Sequence, residues 1–134
     1  MSTIEITKDT IHETIENNDI VLIDFWAEWC GPCKMFGPTF EKVSDRYADD
    51  DLSIAFAKVD TEDQQELAAG FGIRSIPTLV AFRDQIGVFS QPGALPEDAL
   101  DDLIGQIKAL DMEAIKEEIA EEAQAAEEQA IDES

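Results

Sequence analysis

Two cysteines stand three positions apart in Trp29-Cys30-Gly31-Pro32-Cys33-Lys34, and the 134-residue chain has no others. On a helical turn that spacing holds two Cβ atoms about 5–6 Å apart, close to the separation a disulfide needs, so the pair can close and open without remodelling its surroundings. The stretch follows an apolar run, Ile20-Val21-Leu22-Ile23-Asp24-Phe25-Trp26, and opens a helical pattern. Cys30 then sits where free backbone N–H groups and the positive helix end favour a thiolate, while Cys33 lies one turn further in and is shielded. The chemistry expected is thiol–disulfide exchange, with Cys30 attacking and Cys33 resolving. Half of a zinc site would use the same pair but needs two more Cys or His ligands, and His12 is the sole histidine. No metal is expected. An inert pair of core cysteines is hard to reconcile with Gly-Pro at a helix entrance.

The elements that must position this pair are legible from periodicity. A short strand is expected at residues 4–7 and an amphipathic helix at 9–17 carrying Ile11 and Ile15, with Thr10 and Glu13 in a capping-box pattern. The run 20–26 is continuous and rich in β-branched and aromatic residues, as in a strand buried on both faces, and it should be central. A long helix is expected over 30–47, with Met35, Phe36, Phe40, Val43 and Tyr47 on its apolar face and Pro38 as a kink. Residues 52–59 read as a second buried strand. Asp60 or Thr61 can cap a short helix ending near Gly70. Strands at 78–82 and 86–89 form a hairpin, and Pro96 opens a helix carrying Leu100, Leu103, Ile104 and Ile107 at helical spacing. The order β-α-β-α-β-α-β-β-α predicts an α/β fold, a central mixed β-sheet flanked by helices on both faces.

Net charge is −22, which argues against nucleic acid and anionic membrane, both polyanions, as partners. Ten of the 31 acids lie after Leu110, offset by Lys116 alone, so a boundary is expected there: a domain at 1–110 and an acidic Ala/Glu-rich extension at 111–134. That extension has high helix propensity opposed by like charges four apart, and a thin apolar stripe of Met112, Ile115, Ile119, Ala123, Ala126 and Ala130. It should be partly helical or disordered and solvated, or else a surface for interaction. No secretory pattern is found at the start, and no apolar run approaches the ~18 residues of a membrane span, so the cytoplasm is the expected compartment. There thiols stay reduced and a close Cys pair is expected to be catalytic or metal-binding rather than structural.

With these residues in view, Phe25-Trp26-Ala27-Glu28-Trp29-Cys30-Gly31-Pro32-Cys33-Lys34 resembles the active-site segment of the thioredoxin family. The likeness runs from about Ile4 to Leu110. Within it Asp24 matches the family's buried carboxylate, Lys58 its sheet partner, Pro38 its helix kink, Ile76-Pro77 its cis-proline loop and Gly93 its substrate-facing glycine. The resemblance implies the thioredoxin fold and a protein-disulfide reductase with catalytic Cys30, Cys33, Asp24 and Lys58. Substrate would contact Trp29, Gly31, Pro32, Ile76, Pro77 and Gly93. It also implies disulfide-containing protein substrates, no bound cofactor beyond the redox-active disulfide, a monomer, and re-reduction by an NADPH-dependent flavoprotein thioredoxin reductase.

The residues give their own reasons. Asp24 interrupts a buried apolar run, where an ionised carboxylate is expensive, so its pKa should rise and suit it to accept the proton of Cys33; the alternative is a structural partner of Lys58. A cis bond before Pro77 would set the Ile76 backbone against Cys30, ready to hydrogen-bond an incoming chain by strand addition. Trp29, on a loop beside the nucleophile, suits an exposed substrate contact. The hairpin reads Asp84-Gln85 where the family usually has Asn-Gly, so a longer or bulged turn is expected instead of a two-residue type I′ turn. Pro92 before Gly93 stiffens the substrate loop. Competing readings are an oxidase or isomerase, a scaffold in which the cysteines matter little, and acidity as an adaptation to high salt.

Overall fold

The apolar run forms the middle strand of a five-stranded sheet in the computed structural model, which describes residues 2–132. The strands are β1 (Thr3–Glu5), β2 (Ile20–Trp26), β3 (Ile54–Asp60), β4 (Thr78–Arg83) and β5 (Ile86–Pro92), in the spatial order β1-β3-β2-β4-β5. β1, β3 and β2 are parallel, whereas β4 runs antiparallel to β2 and β5 antiparallel to β4. This is the mixed α/β sheet expected.

Period-two alternation along β2 divides the core. Ile20 and Leu22 face the long helix α2 (Gly31–Arg46) and α4 (Glu97–Lys108), packing with Phe36, Phe40, Phe56, Leu100 and Ile104. Val21, Ile23 and Phe25 face α1 (Ile11–Glu16) and α3 (Gln65–Gly70), packing with Ile11, Val59 and Ala68. Phe40 meets Phe56 edge-on at 5.2 Å between centroids, and burial of each ring contributes roughly 1.5–3 kcal/mol. The same alternation assigns Asp24 and Trp26 to the α2 side, where the cysteines lie.

Several local expectations are corrected. Thr10 precedes α1 but makes no side-chain cap; its Oγ1 accepts instead from Thr7 N–H at 2.9 Å, so the capping box does not form. Met35 is 77% exposed, because Phe36, Phe40 and Val43 set the buried stripe and Met35 lies about 100° off it. α3 starts at Gln65, so Asp60 and Thr61 do not cap it; Asp60 Oδ1 accepts from Glu62 N–H, and Thr61 Oγ1 donates to Trp26 O. The β4–β5 turn has two residues after all: Arg83 pairs with Ile86, and Asp84 and Gln85 have φ of 50° and 69°, as a type I′ turn requires. The irregularity lies inside the hairpin, at Ala81/Phe82. Asp84 is held by Asp19 O, which accepts from its N–H, and by ion pairs with Arg83 and Lys116.

The C-terminal segment is a continuous helix, α5 (Met112–Asp132), with Ala114 N–H bound by Asp111 Oδ1. Met112 is buried, Ile115 is half-buried, and the helix is exposed from Lys116 to Ala130. Its first turn is therefore packed on the body and the remainder is solvated.

Candidate active site

Cys30 is the N-cap of α2, reached by the short connection from the end of β2. Its Sγ accepts from Cys33 N–H at 3.2 Å, and the two residues are joined by a disulfide across a Cα separation of 5.2 Å. Pro32 sits in the first turn of α2, where a missing N–H costs no helical bond, and it and Gly31 are exposed. Cys30 and Cys33 are each 4% exposed, so accessibility does not separate them as expected; Ala27, Trp26 and Ile76 pack around both. What separates them is position, one capping the helix and the other inside it.

The loop before β4 forms the opposite wall. The Ile76–Pro77 bond is cis, and Ile76 O lies 3.6 Å from Cys30 Sγ. Gly93 N–H donates to Pro77 O at 2.8 Å, with Gly93 at φ +108°, a conformation that L side chains rarely adopt. Trp29 is 68% exposed and its Nε1 donates to Glu62 Oε1 at 2.7 Å. Between Trp29 and Ile76 runs a groove of about 320 Å³, lined also by Ile73 and Arg74.

On β2, Asp24 is fully buried, and neither carboxyl oxygen has a hydrogen-bond partner among the described residues. Burial pushes its pKa up to about 7, with Lys58 pulling the other way. Lys58 is its register partner on β3. The Lys58 ammonium stands 5.0 Å from the centroid of the Trp26 ring and 3.7 Å from where a Cβ on Gly37 would fall. A pocket of about 250 Å³ lined by Trp26, Cys33, Gly37, Glu41 and Lys58 opens this region to solvent.

Of the residues picked out in the sequence, Cys30, Gly31, Pro32, Cys33 and Trp29 lie on one wall and Ile76, Pro77 and Gly93 on the other, while Asp24 is the register partner of Lys58, which lines a pocket with Cys33. Trp26, Arg74 and Glu62 belong to the same neighbourhood and were not singled out as site residues from the sequence. Trp26 reads as the end of a core strand, although alternation with Asp24 puts it on the cysteine side. A larger cleft, about 590 Å³ between α1 and α3, lies away from the cysteines. Among the described residues no cluster of three or more His, Cys, Asp or Glu is placed to hold a metal, and no helix is long and apolar enough to cross a membrane.

The sequence model of the thioredoxin family matches residues 2–106. A Streptomyces coelicolor protein carrying the name thioredoxin 2 is 55% identical over 121 residues, covering 90% of this chain and 87% of its own. A Porphyra purpurea thioredoxin is 38% identical, covering 79% of this chain and 97% of its own. Of solved structures, a Malassezia sympodialis thioredoxin superposes with TM-score 0.70 at 40% identity, covering 81% of this chain and 92% of its own. A single-site mutant of a Halobacterium salinarum thioredoxin gives a TM-score of 0.71 at 37% identity, covering 81% of this chain and 91% of its own.

Proposed function

The chain belongs to the thioredoxin family of thiol–disulfide oxidoreductases, and from that premise we propose how its residues divide the work of reducing disulfides in other proteins. The observation that carries the reading is the placement of Cys30 at the cap of α2, its Sγ accepting the Cys33 N–H and facing the Ile76 carbonyl.

In the dithiol form the helix end and that N–H favour the Cys30 thiolate. The thiolate attacks one sulfur of a substrate disulfide; a Cys30–substrate bond forms, and the other substrate sulfur leaves as a thiolate and takes a proton. Asp24, with a pKa of about 7, is partly ionised at neutral pH; its carboxylate, stabilised by Lys58 opposite it, accepts the Cys33 proton and becomes neutral. Cys33 then attacks Cys30, and the second substrate sulfur leaves as a thiolate and takes a proton; the cysteine pair has given two electrons, and of the two protons one comes from Cys33 by way of Asp24 and one from solvent. The substrate backbone pairs with the chain at Ile76 as an added strand, with Trp29, Gly31, Pro32, Pro77 and Gly93 forming the surface around it.

The cycle needs no bound cofactor, and we assign re-reduction of the disulfide to an NADPH-dependent flavoprotein thioredoxin reductase. We assign the cytoplasm as compartment, a monomer as working unit, and 1–110 as the redox domain with 111–134 as an acidic extension. Reduction of insulin disulfides by the full chain tests the reading. The Cys30→Ser variant should be inactive, and retention of activity would leave the cysteines idle and the fold a scaffold.

A further inference from the structure

With nine basic residues against 31 acidic ones, an exposed cation that no carboxylate engages is unusual in this chain. Lys8, Lys42, Arg46, Arg83, Lys108 and Lys116 are each ion-paired. Lys58 is half-buried opposite Asp24. Among the described residues, Lys34 and Arg74 are the cations left with neither an ion pair nor a side-chain hydrogen bond, and both are exposed. Both also flank the redox pair. Lys34 follows Cys33 and lines the pocket above Lys58, whereas Arg74 lines the groove that runs from Trp29 to Ile76.

That groove holds no other charged side chain, its remaining lining being Trp29, Thr61, Ala68, Ile73, Ser75 and Ile76. Glu62 is bound to Trp29 Nε1. At one end Ile76 O is 3.6 Å from Cys30 Sγ, and Arg74 precedes Ile76 by two residues, a reach of at most about 7 Å. A segment added as a strand along Ile76, its cysteine at Cys30, carries a side chain one or two positions away past the guanidinium. The guanidinium has no protein partner among the described residues, and its planar fork matches a carboxylate in a bidentate fashion.

We propose that Arg74 is a specificity-determining residue that favours protein disulfides with an Asp or Glu within about two residues of the attacked cysteine. The inference rests on the disulfide-reductase reading above. The charge of −22 opposes acidic partners at long range, but that repulsion is screened beyond about 8–10 Å, whereas the Arg74 contact is local.

Two homodimeric peptide disulfides of identical composition and charge, one with Glu beside the cysteine and one with that Glu at the far end, separate the local contact from the overall field. The full chain should reduce the first with a kcat/KM about two- to fivefold higher, the range an exposed ion pair supplies. Arg74→Gln should bring the ratio to about one, Arg74→Glu should invert it, and Lys34→Gln should leave it unchanged. A parent ratio of one, or a Lys34→Gln effect as large as that of Arg74→Gln, overturns the proposal. If neither peptide is reduced, the reductase reading falls and the proposal with it.

Discussion

The backbone N–H of Cys33 points at Cys30 Sγ, 3.2 Å away, while among the described residues nothing equivalent is directed at Cys33 Sγ. The two residues are equally buried, yet a donor serves only the sulfur at the helix cap. Negative charge on Cys30 is stabilised by that donor and by the helix end, and Cys33 has neither.

This asymmetry predicts the behaviour of single-cysteine variants. Cys33→Ser should accumulate mixed disulfides with its targets on Cys30, since attack is kept and resolution is lost. Non-reducing gels and mass spectrometry of adducts recovered from an extract would read this. Equal adduct yields from Cys30→Ser would reverse the roles assigned here.

The hairpin turn offers a stability test. Gln85 at φ 69° is a side-chain-bearing residue in the left-handed region, a conformation that costs roughly 1 kcal/mol. Gln85→Gly should raise stability by about 0.5–1 kcal/mol in chemical denaturation, the gain being trimmed by the greater freedom of glycine in the unfolded chain. Destabilisation would show that Gln85 makes contacts that outweigh its backbone.

Where a feature depends on near neighbours it is legible from the chain. The run 20–26, apolar but for Asp24 and rich in β-branched and aromatic residues, reads as a strand covered on both faces, and Gly-Pro between the cysteines marks the helix mouth. Where the deciding partner is distant, the reading fails. Thr10 has the right spacing to Glu13, but its hydroxyl is taken by Thr7 N–H. The Asp84-Gln85 turn lacks the usual glycine and is supported by Lys116, 32 positions on, and by Asp19. Arg74 is one arginine in a loop until the fold sets it in a groove with Trp29. The equal burial of the two cysteines likewise comes from Trp26 and Ile76, which arrive from separate elements.

α5 should be divisible by truncation. Met112 is buried and Lys116 pairs with Asp84, but residues 117–130 are exposed. Ending the chain after Ala120 should change stability by less than about 0.5 kcal/mol, as for surface changes generally. Ending it after Leu110 should cost about 1–3 kcal/mol for the loss of Met112 and its neighbours, with activity kept within about twofold. Loss of folding in the second case would make α5 part of the domain, and equal stability in both would show that the Met112 contact contributes nothing.

Asp24 separates a functional carboxylate from a structural one. Its pKa in the folded chain, about 7, lies above its ordinary value of 3.8, chiefly because burial penalises the charged form. Between those two values the folded state binds a proton that the unfolded state has released, so stability falls as pH rises through that window. The contribution is fully present below about pH 4 and is lost as pH passes through 7. Asp24→Leu removes the buried ionisable group, so it should be more stable than the parent at pH 8, by roughly 2–4 kcal/mol, with the gap narrowing toward pH 4. The same variant should turn over more slowly, and single-turnover kinetics should place the loss at release of the mixed disulfide, because Cys33 has lost its proton acceptor. Asp24→Asn keeps the shape but cannot accept the proton, so it should share the kinetic defect. Denaturation at pH 5, 7 and 8 with stopped-flow reduction tests both halves. A variant that is less stable at pH 8 and as fast as the parent would make Asp24 a structural partner of Lys58, and another base would have to take the proton of Cys33.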